Sequence, residues 1–156
     1  MTSEIENKMK LIRLFLVTLA VLSVNASANQ TTTDQVKFSK AWVKMPMPGM
    51  QTTAGFVDIE NVTTSDVRLV AVRTSFSAHS ELHSMVMVNN VMQMRQAIDG
   101  WVIKSGTRLT FAPGGKHAML MGLKYKLKNQ SEVLLEFKIE GMDWVSVPAV
   151  VRPPKP

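Results

Sequence analysis

From residue 35 onward the chain alternates apolar and polar side chains with the two-residue period of a half-buried strand. The segments QVKFSKAWVKM (35–45), TAGFVDIEN (53–61), DVRLVAVRT (66–74), TRLTFA (107–112), EVLLEFKIE (132–140) and WVSVPAVV (144–151) are short, β-branched and partly alternating. Turn formers separate them: Pro46, Pro48-Gly49, Asn61, Asp99-Gly100, Pro113-Gly114-Gly115, Asn129 and Gly141. No stretch beyond residue 28 carries a long helical apolar period with caps. The pattern predicts about seven to nine short strands in an all-β fold, an antiparallel β-sandwich or a Greek-key barrel. The tail RPPKP (152–156) is expected to be a loose, extended end.

The first 28 residues break the pattern. LIRLFLVTLAVLSV follows Lys8 and Lys10 and precedes Ala26-Ser27-Ala28, the small-x-small arrangement at which secretory signals are cut. Its apolar core is short for a membrane span. Residues 1–28 are therefore expected to be a signal peptide cleaved after Ala28, with a retained anchor as the rival reading. Glu4 and Glu6 are foreign to a basic leader, whereas Met9 opens the conventional start MKLIRLFLV, which makes Met9 the expected initiator. Residues 29–156 are expected to form one domain, since a 156-residue chain with 46% apolar residues fills one core rather than two.

Export changes what the charge means. The net charge is +6, and losing residues 1–28 removes Lys8, Lys10, Arg13, Glu4 and Glu6, which leaves +5. On an exported protein this excess does not argue for nucleic acid. It suits a solvated surface, or weak attraction to anionic headgroups or to an acidic partner. The chain has no cysteine. That removes a disulfide framework, a thiol nucleophile, a CxxC redox pair, a thiolate zinc site and a blue-copper centre of the His/Cys type. Soft-ligand chemistry here has to use methionine.

Methionine is concentrated in one place. ELHSMVMVNNVMQMR (81–95) holds one histidine and four methionines in fifteen residues. Asparagine tolerates the positive φ of a type I′ turn, so Asn89-Asn90 predicts a two-residue hairpin with Met87 opposite Met92 and Met85 opposite Met94. His83 then lies diagonal to Met94, and alternation puts His83, Met85, Met87, Met92 and Met94 on one face. A second cluster, PGGKHAMLMGL (113–123), aligns His117, Met119 and Met121 along an extended segment, with its turn able to aim them back at the hairpin. Thioether and imidazole are neutral ligands, and soft sulfur suits monovalent copper better than calcium, magnesium or zinc. Thioether also has no proton to lose and forms no disulfide, so it serves in an oxidising compartment. Two readings stay open on these grounds: a metal constellation of His83, Met94, His117 and Met119, or methionines that fill core gaps. Taken singly, Met87, Met92 and Met121 read as core packing and His79 as a surface histidine.

At these residues the chain resembles the periplasmic copper chaperone family PCuAC. That family's hallmark is a histidine, ten residues, a methionine, about twenty-one or twenty-two residues, and an HxM. Here ten residues separate His83 from Met94, and twenty-two separate Met94 from His117-Ala118-Met119. AWVKMPMPG, AGFVDIEN, SELHSM, VMQMR and PGGKHAMLMGL also fall in the family's order, covering nearly all of residues 29–156. The resemblance implies a cupredoxin-like or immunoglobulin-like β-sandwich in the periplasm that binds Cu(I). It implies His83, Met94, His117 and Met119 as ligands, Met85 as an alternate, and delivery of copper to cytochrome c oxidase or through a thiol copper chaperone. MPMPGM departs from the family: Met45, Met47 and Met50 make that loop richer in thioethers, a candidate shield for the metal or an extension of its transfer contacts.

Three other readings compete. Copper storage or detoxification would use the same ligands. An enzyme is not expected, because the chain has three histidines and no nucleophile elbow or paired-carboxylate motif. A metal-free exported binding module would use a sheet edge or loops, with Trp42, Trp101 and Trp144 as contacts, although tryptophans at these positions read first as core aromatics.

Overall fold

The computed structural model describes residues 31–153; the expected signal peptide at 1–28 and the last three residues of the tail lie outside the described residues. Among the described residues there are eleven strands and no helix. They are β1 (Thr31–Thr32), β2 (Val36–Lys44), β3 (Thr52–Asn61), β4 (Val67–Arg73), β5 (Ser77–Val88) and β6 (Val91–Gln96). Then follow β7 (Trp101–Ile103), β8 (Arg108–Thr110), β9 (Lys116–Leu123), β10 (Glu132–Ile139) and β11 (Trp144–Arg152). The predicted segments all recur as strands, but the expected seven to nine falls short of eleven. β1 and β7 span two and three residues, too few for alternation to register.

The strands hydrogen-bond in the order β6-β5-β9-β3-β2-β11-β10-β4-β7, with β1 on β2 and β8 on β3. Every pairing is antiparallel except β2 with β11, so the expectation of a purely antiparallel fold needs one correction. This parallel contact joins the two layers of the sandwich. Across the layers Phe38 of β2 stacks on Phe137 of β10 at 5.4 Å. A Cβ added at Gly55 of β3 would lie 3.1 Å from Leu135 of β10, so the layers touch where glycine makes room. Val36, Phe38, Val43, Ile59, Leu135, Phe137, Ile139 and Val147 are fully buried between them. With no disulfide, this apolar burial holds the fold, at roughly 1.5–3 kcal/mol for each large side chain removed from water.

One irregularity decides which side chains face out. Lys40 takes φ 55°, and the β2–β3 register shifts between Ser39 and Trp42. The extra residue of such a bulge switches the parity of the strand. Val36 and Phe38 point into the core before it, and Ala41 and Val43 after it. Trp42 is thereby turned onto Phe56 (ring centroids 4.5 Å), with the Arg152 guanidinium 4.4 Å from its ring. Arg152, expected in a loose tail, is instead the last residue of β11 and is held by this stack.

Candidate metal centre

The β5–β6 hairpin turns at Asn89 (φ 49°) and Asn90 (φ 61°), both in the left-handed region that a type I′ turn requires. Its register is Val88 with Val91, Met87 with Met92 and Met85 with Met94, as the sequence predicts. On its other side β5 pairs with β9, placing His83 directly opposite His117 and Glu81 directly opposite Met119. Met94 and Met119 are thus both diagonal to His83, one on each flanking strand. Leu82, Ala118 and Leu120 point into the core, so His83, His117, Met94 and Met119 share the outer face of the layer.

The two imidazoles are held differently. Ala112, Pro113, Gly114 and Gly115 make a tight turn, with Gly114 at φ 77° and the Gly115 N–H bonded to the Ala112 carbonyl at 2.9 Å. The Gly115 carbonyl accepts from the Met85 backbone N–H at 3.2 Å and from His117 Nδ1 at 3.1 Å. One carbonyl therefore ties the turn to β5 and orients the His117 ring. On β5, Glu81 Oε2 lies 2.7 Å from His83 Nε2. A carboxylate and a carbonyl both accept, so the hydrogen-bond network assigns the protons to His83 Nε2 and His117 Nδ1. The lone pairs are then on His83 Nδ1 and His117 Nε2. His83 Nδ1 is buried and has no hydrogen-bond partner among the described residues. A buried, unpartnered nitrogen is costly unless something else binds it.

The ring centroids are 5.9 Å apart at an interplanar angle of 49°. His117 is 6% exposed and the His83 side chain 14%. Burial pushes the His117 pKa below the ordinary histidine value, and the neighbouring His83 acts in the same direction, while the Gly115 carbonyl opposes them. His117 is therefore neutral, and able to ligate, at physiological pH. Among the described residues no three His, Cys, Asp or Glu side chains cluster to hold a metal ion. A set completed by the diagonal thioethers fits a soft monovalent ion and does not fit calcium or magnesium.

Other sequence expectations are sorted by the same geometry. Met85 lies opposite Met94 and is half-buried, consistent with an alternate ligand. Met87 and Met92 are 62% and 45% exposed, which overturns their reading as core packing: the hairpin projects beyond the core that periodicity assigned them to. His79 is exposed, as expected, but stands opposite Met121. Met45, Met47 and Met50 line a groove of about 460 Å³ with Leu123, Tyr125 and Leu127, at the far end of β9 from His117. Six residues of strand, about 20 Å, separate Leu123 from His117, so this loop does not cover the imidazole pair. Trp42 and Trp101 pack against the core, and Trp144 lies 4.1 Å beneath the Arg73 guanidinium. Glu81 was missed, although its place two residues before His83 on a strand put it on the same face.

The fold is that of PCuAC domains. The apo PCuAC domain from PmoF1 superposes with a TM-score of 0.67 at 18% identity, over 80% of this chain and 99% of that one. The copper-bound PCuAC domain from PmoF2 gives 0.66, also at 18%, over 80% and 98%. CuI-DR1885 from Deinococcus radiodurans gives 0.55 at 26%, over 85% of each chain. By sequence the chain belongs to the family "Putative lipoprotein LpqE-like", whose model matches residues 36–151. A relative from Leifsonia xyli subsp. xyli (strain CTCB07), "Putative lipoprotein Lxx21020", is 38% identical over 117 residues, covering 74% of this chain and 69% of that protein. The family description names lipoproteins, whereas these 156 residues include no cysteine to carry a thioether-linked lipid.

Proposed function

We propose that this protein is a carrier, not an enzyme, which binds Cu(I) outside the cytoplasm and releases it by ligand exchange to a copper-requiring acceptor. The observation that carries this reading is the facing pair His83 and His117, with His83 Nδ1 buried and without a hydrogen-bond partner among the described residues, flanked diagonally by Met94 and Met119. The copper-bound members among the similar folds, CuI-DR1885 in particular, support the choice of metal. The lipoprotein descriptions of the family and of the Leifsonia relative support export, and the resemblance to PCuAC supports the periplasm as the compartment. The acceptor is the copper-bearing subunit of cytochrome c oxidase, or a thiol chaperone that precedes it.

The residues divide the work by exposure. Met94 is on the edge strand β6 and 46% exposed, whereas His117 is 6% exposed. An incoming donor reaches the ion from the Met94 side. Its bond to the metal forms as the thioether bond breaks, and the imidazoles let go last. All four ligands are neutral, so the ion keeps its positive charge, and an acidic acceptor surface favours docking.

A competition titration of the purified protein against a chromogenic Cu(I) chelator tests this, run beside Met94→Leu and His117→Ala. Tight one-to-one binding that weakens in both variants is expected. Binding indifferent to both changes overturns the site. Copper that binds but never reaches an added acceptor indicates storage rather than delivery.

A further inference from the structure

The outer face carries a second histidine–thioether pair that the four-ligand set does not use. His79 lies directly opposite Met121 across the β5–β9 pairing, in the row that runs His79, Glu81, His83 on β5 and Met121, Met119, His117 on β9. Four residues of strand, about 13 Å, separate this pair from His83 and His117. On its other side Met121 is paired with Thr52, and Met50 lies two residues, about 7 Å, before Thr52 in the loop that precedes β3. His79 and Met50 are exposed and Met121 is half-buried, so the donors are open to solvent. Among the described residues His79 takes part in no salt bridge.

We propose that His79 and Met121, with Met50 as a further thioether, form a second, exposed site for a monovalent soft ion on this face. The proposal rests on the reading of the face as copper-binding and extends it. Imidazole and thioether are the same neutral, soft donor set as at the first site. Solvent exposure, and the lack of an orienting carboxylate or carbonyl among the described residues, make the second site weaker, because unfixed donors lose side-chain entropy on binding. Met119 stands between the two pairs, two residues from each along β9. An ion staged at His79 and Met121 passes inward by ligand exchange, its bond to Met119 sulfur forming as the bond to His79 nitrogen breaks, with no change of oxidation state.

The test is a titration of the full protein, labelled with ¹³C at the methionine methyl groups, with Ag(I) as a redox-silent stand-in for Cu(I). Resonances are assigned by single Met→Leu variants. The first equivalent is expected to move Met94 and Met119, and the second to move Met121 and Met50. In His79→Ala the second event is lost while the first is unchanged, which also shows that the variant is folded. The proposal is overturned if Met121 stays still through about three equivalents, if it moves in step with Met94, or if His79→Ala leaves the second event intact. A titration in which Met94 and Met119 stay still while Met121 moves would instead remove the first site and keep the second.

Discussion

Glu81 offers a sharp test of whether the imidazole pair is built for a metal. Its Oε2 lies 2.7 Å from His83 Nε2 and fixes the ring with Nδ1 unprotonated. Removing such a carboxylate from behind a metal-binding histidine typically costs 10–100-fold in affinity, about 1.4–2.7 kcal/mol. The Glu81 side chain is 35% exposed, so water screens part of its charge and the lower end of that range applies. Glu81→Gln retains an oxygen that can accept from Nε2, and is expected to weaken Cu(I) binding by about threefold to tenfold. Glu81→Ala leaves the ring free to turn and exchange tautomers, and is expected to weaken it by at least about tenfold. The assay is chelator competition, paired with ¹⁵N shifts of the His83 ring, which report the Nε2–H tautomer in wild type and a mixture in the alanine variant. Unchanged affinity in Glu81→Ala, with the tautomer shifted, would refute the argument, because the orientation of His83 would then not matter to the metal.

Four further outcomes follow from the same structure. His117 has its pKa lowered by burial, so the unfolded chain takes up a proton near the ordinary pKa of about 6.5 that the native protein refuses; metal-free stability is full above that value and falls as the pH drops toward the folded pKa. Urea midpoints at pH values of about 7.5 and 5 check this, and His117→Gln should flatten the difference. Phe137→Ala removes a fully buried ring that meets Phe38 at 5.4 Å and Phe111 at 6.3 Å, and should cost about 3–5 kcal/mol by chemical denaturation. Asn90→Val forces a β-branched residue to φ 61° and should cost about 1–2 kcal/mol, with weaker Cu(I) binding as Met94 loses its register against Met85. Peroxide footprinting with one equivalent of Ag(I), a redox-silent stand-in that starts no Fenton-type chemistry, should spare Met94 but still oxidise Met47, which is 66% exposed in the distant loop.

The hairpin was legible because its information is local. Asn89 and Asn90 specify the turn, the turn fixes the register, and a strand period of two fixes the face. The meeting of His83 with His117 was not legible in the same way, since it depends on how β5 lies against β9 and the two histidines are 34 residues apart. No local rule sets that offset; the bond from the Met85 N–H to the Gly115 carbonyl and the burial of Leu82 against Ala118 and Leu120 do. Periodicity also says which side chains share a face without saying whether the face is covered. Met87 and Met92 therefore passed for core residues, although the hairpin carries them past the sandwich. The bulge at Lys40 was hidden because a lysine with positive φ has no sequence signature, and the parallel β2–β11 contact because it joins the two ends of the described chain.

For the carrier proposed above, holding an ion and giving it up place opposite demands on the same ligands, and the strand order separates them. The imidazoles sit on β5 and β9, interior strands paired on both sides, and are fixed by Glu81 and the Gly115 carbonyl. Their order is established before the metal arrives, so binding loses little further entropy. Met94 sits on β6, which among the described residues has a partner on one side only, and a methionine side chain turns about three bonds. Its bond to the ion gains less and breaks more readily. A site of four rigid ligands would hold copper tightly and release it slowly, and a site of four mobile ones would not hold it at all. Under the proposed function, two fixed nitrogens on the inner strands, with a mobile sulfur at the open edge, would let an acceptor take the ion one ligand at a time without unfolding either the sheet or the turn that carries His117.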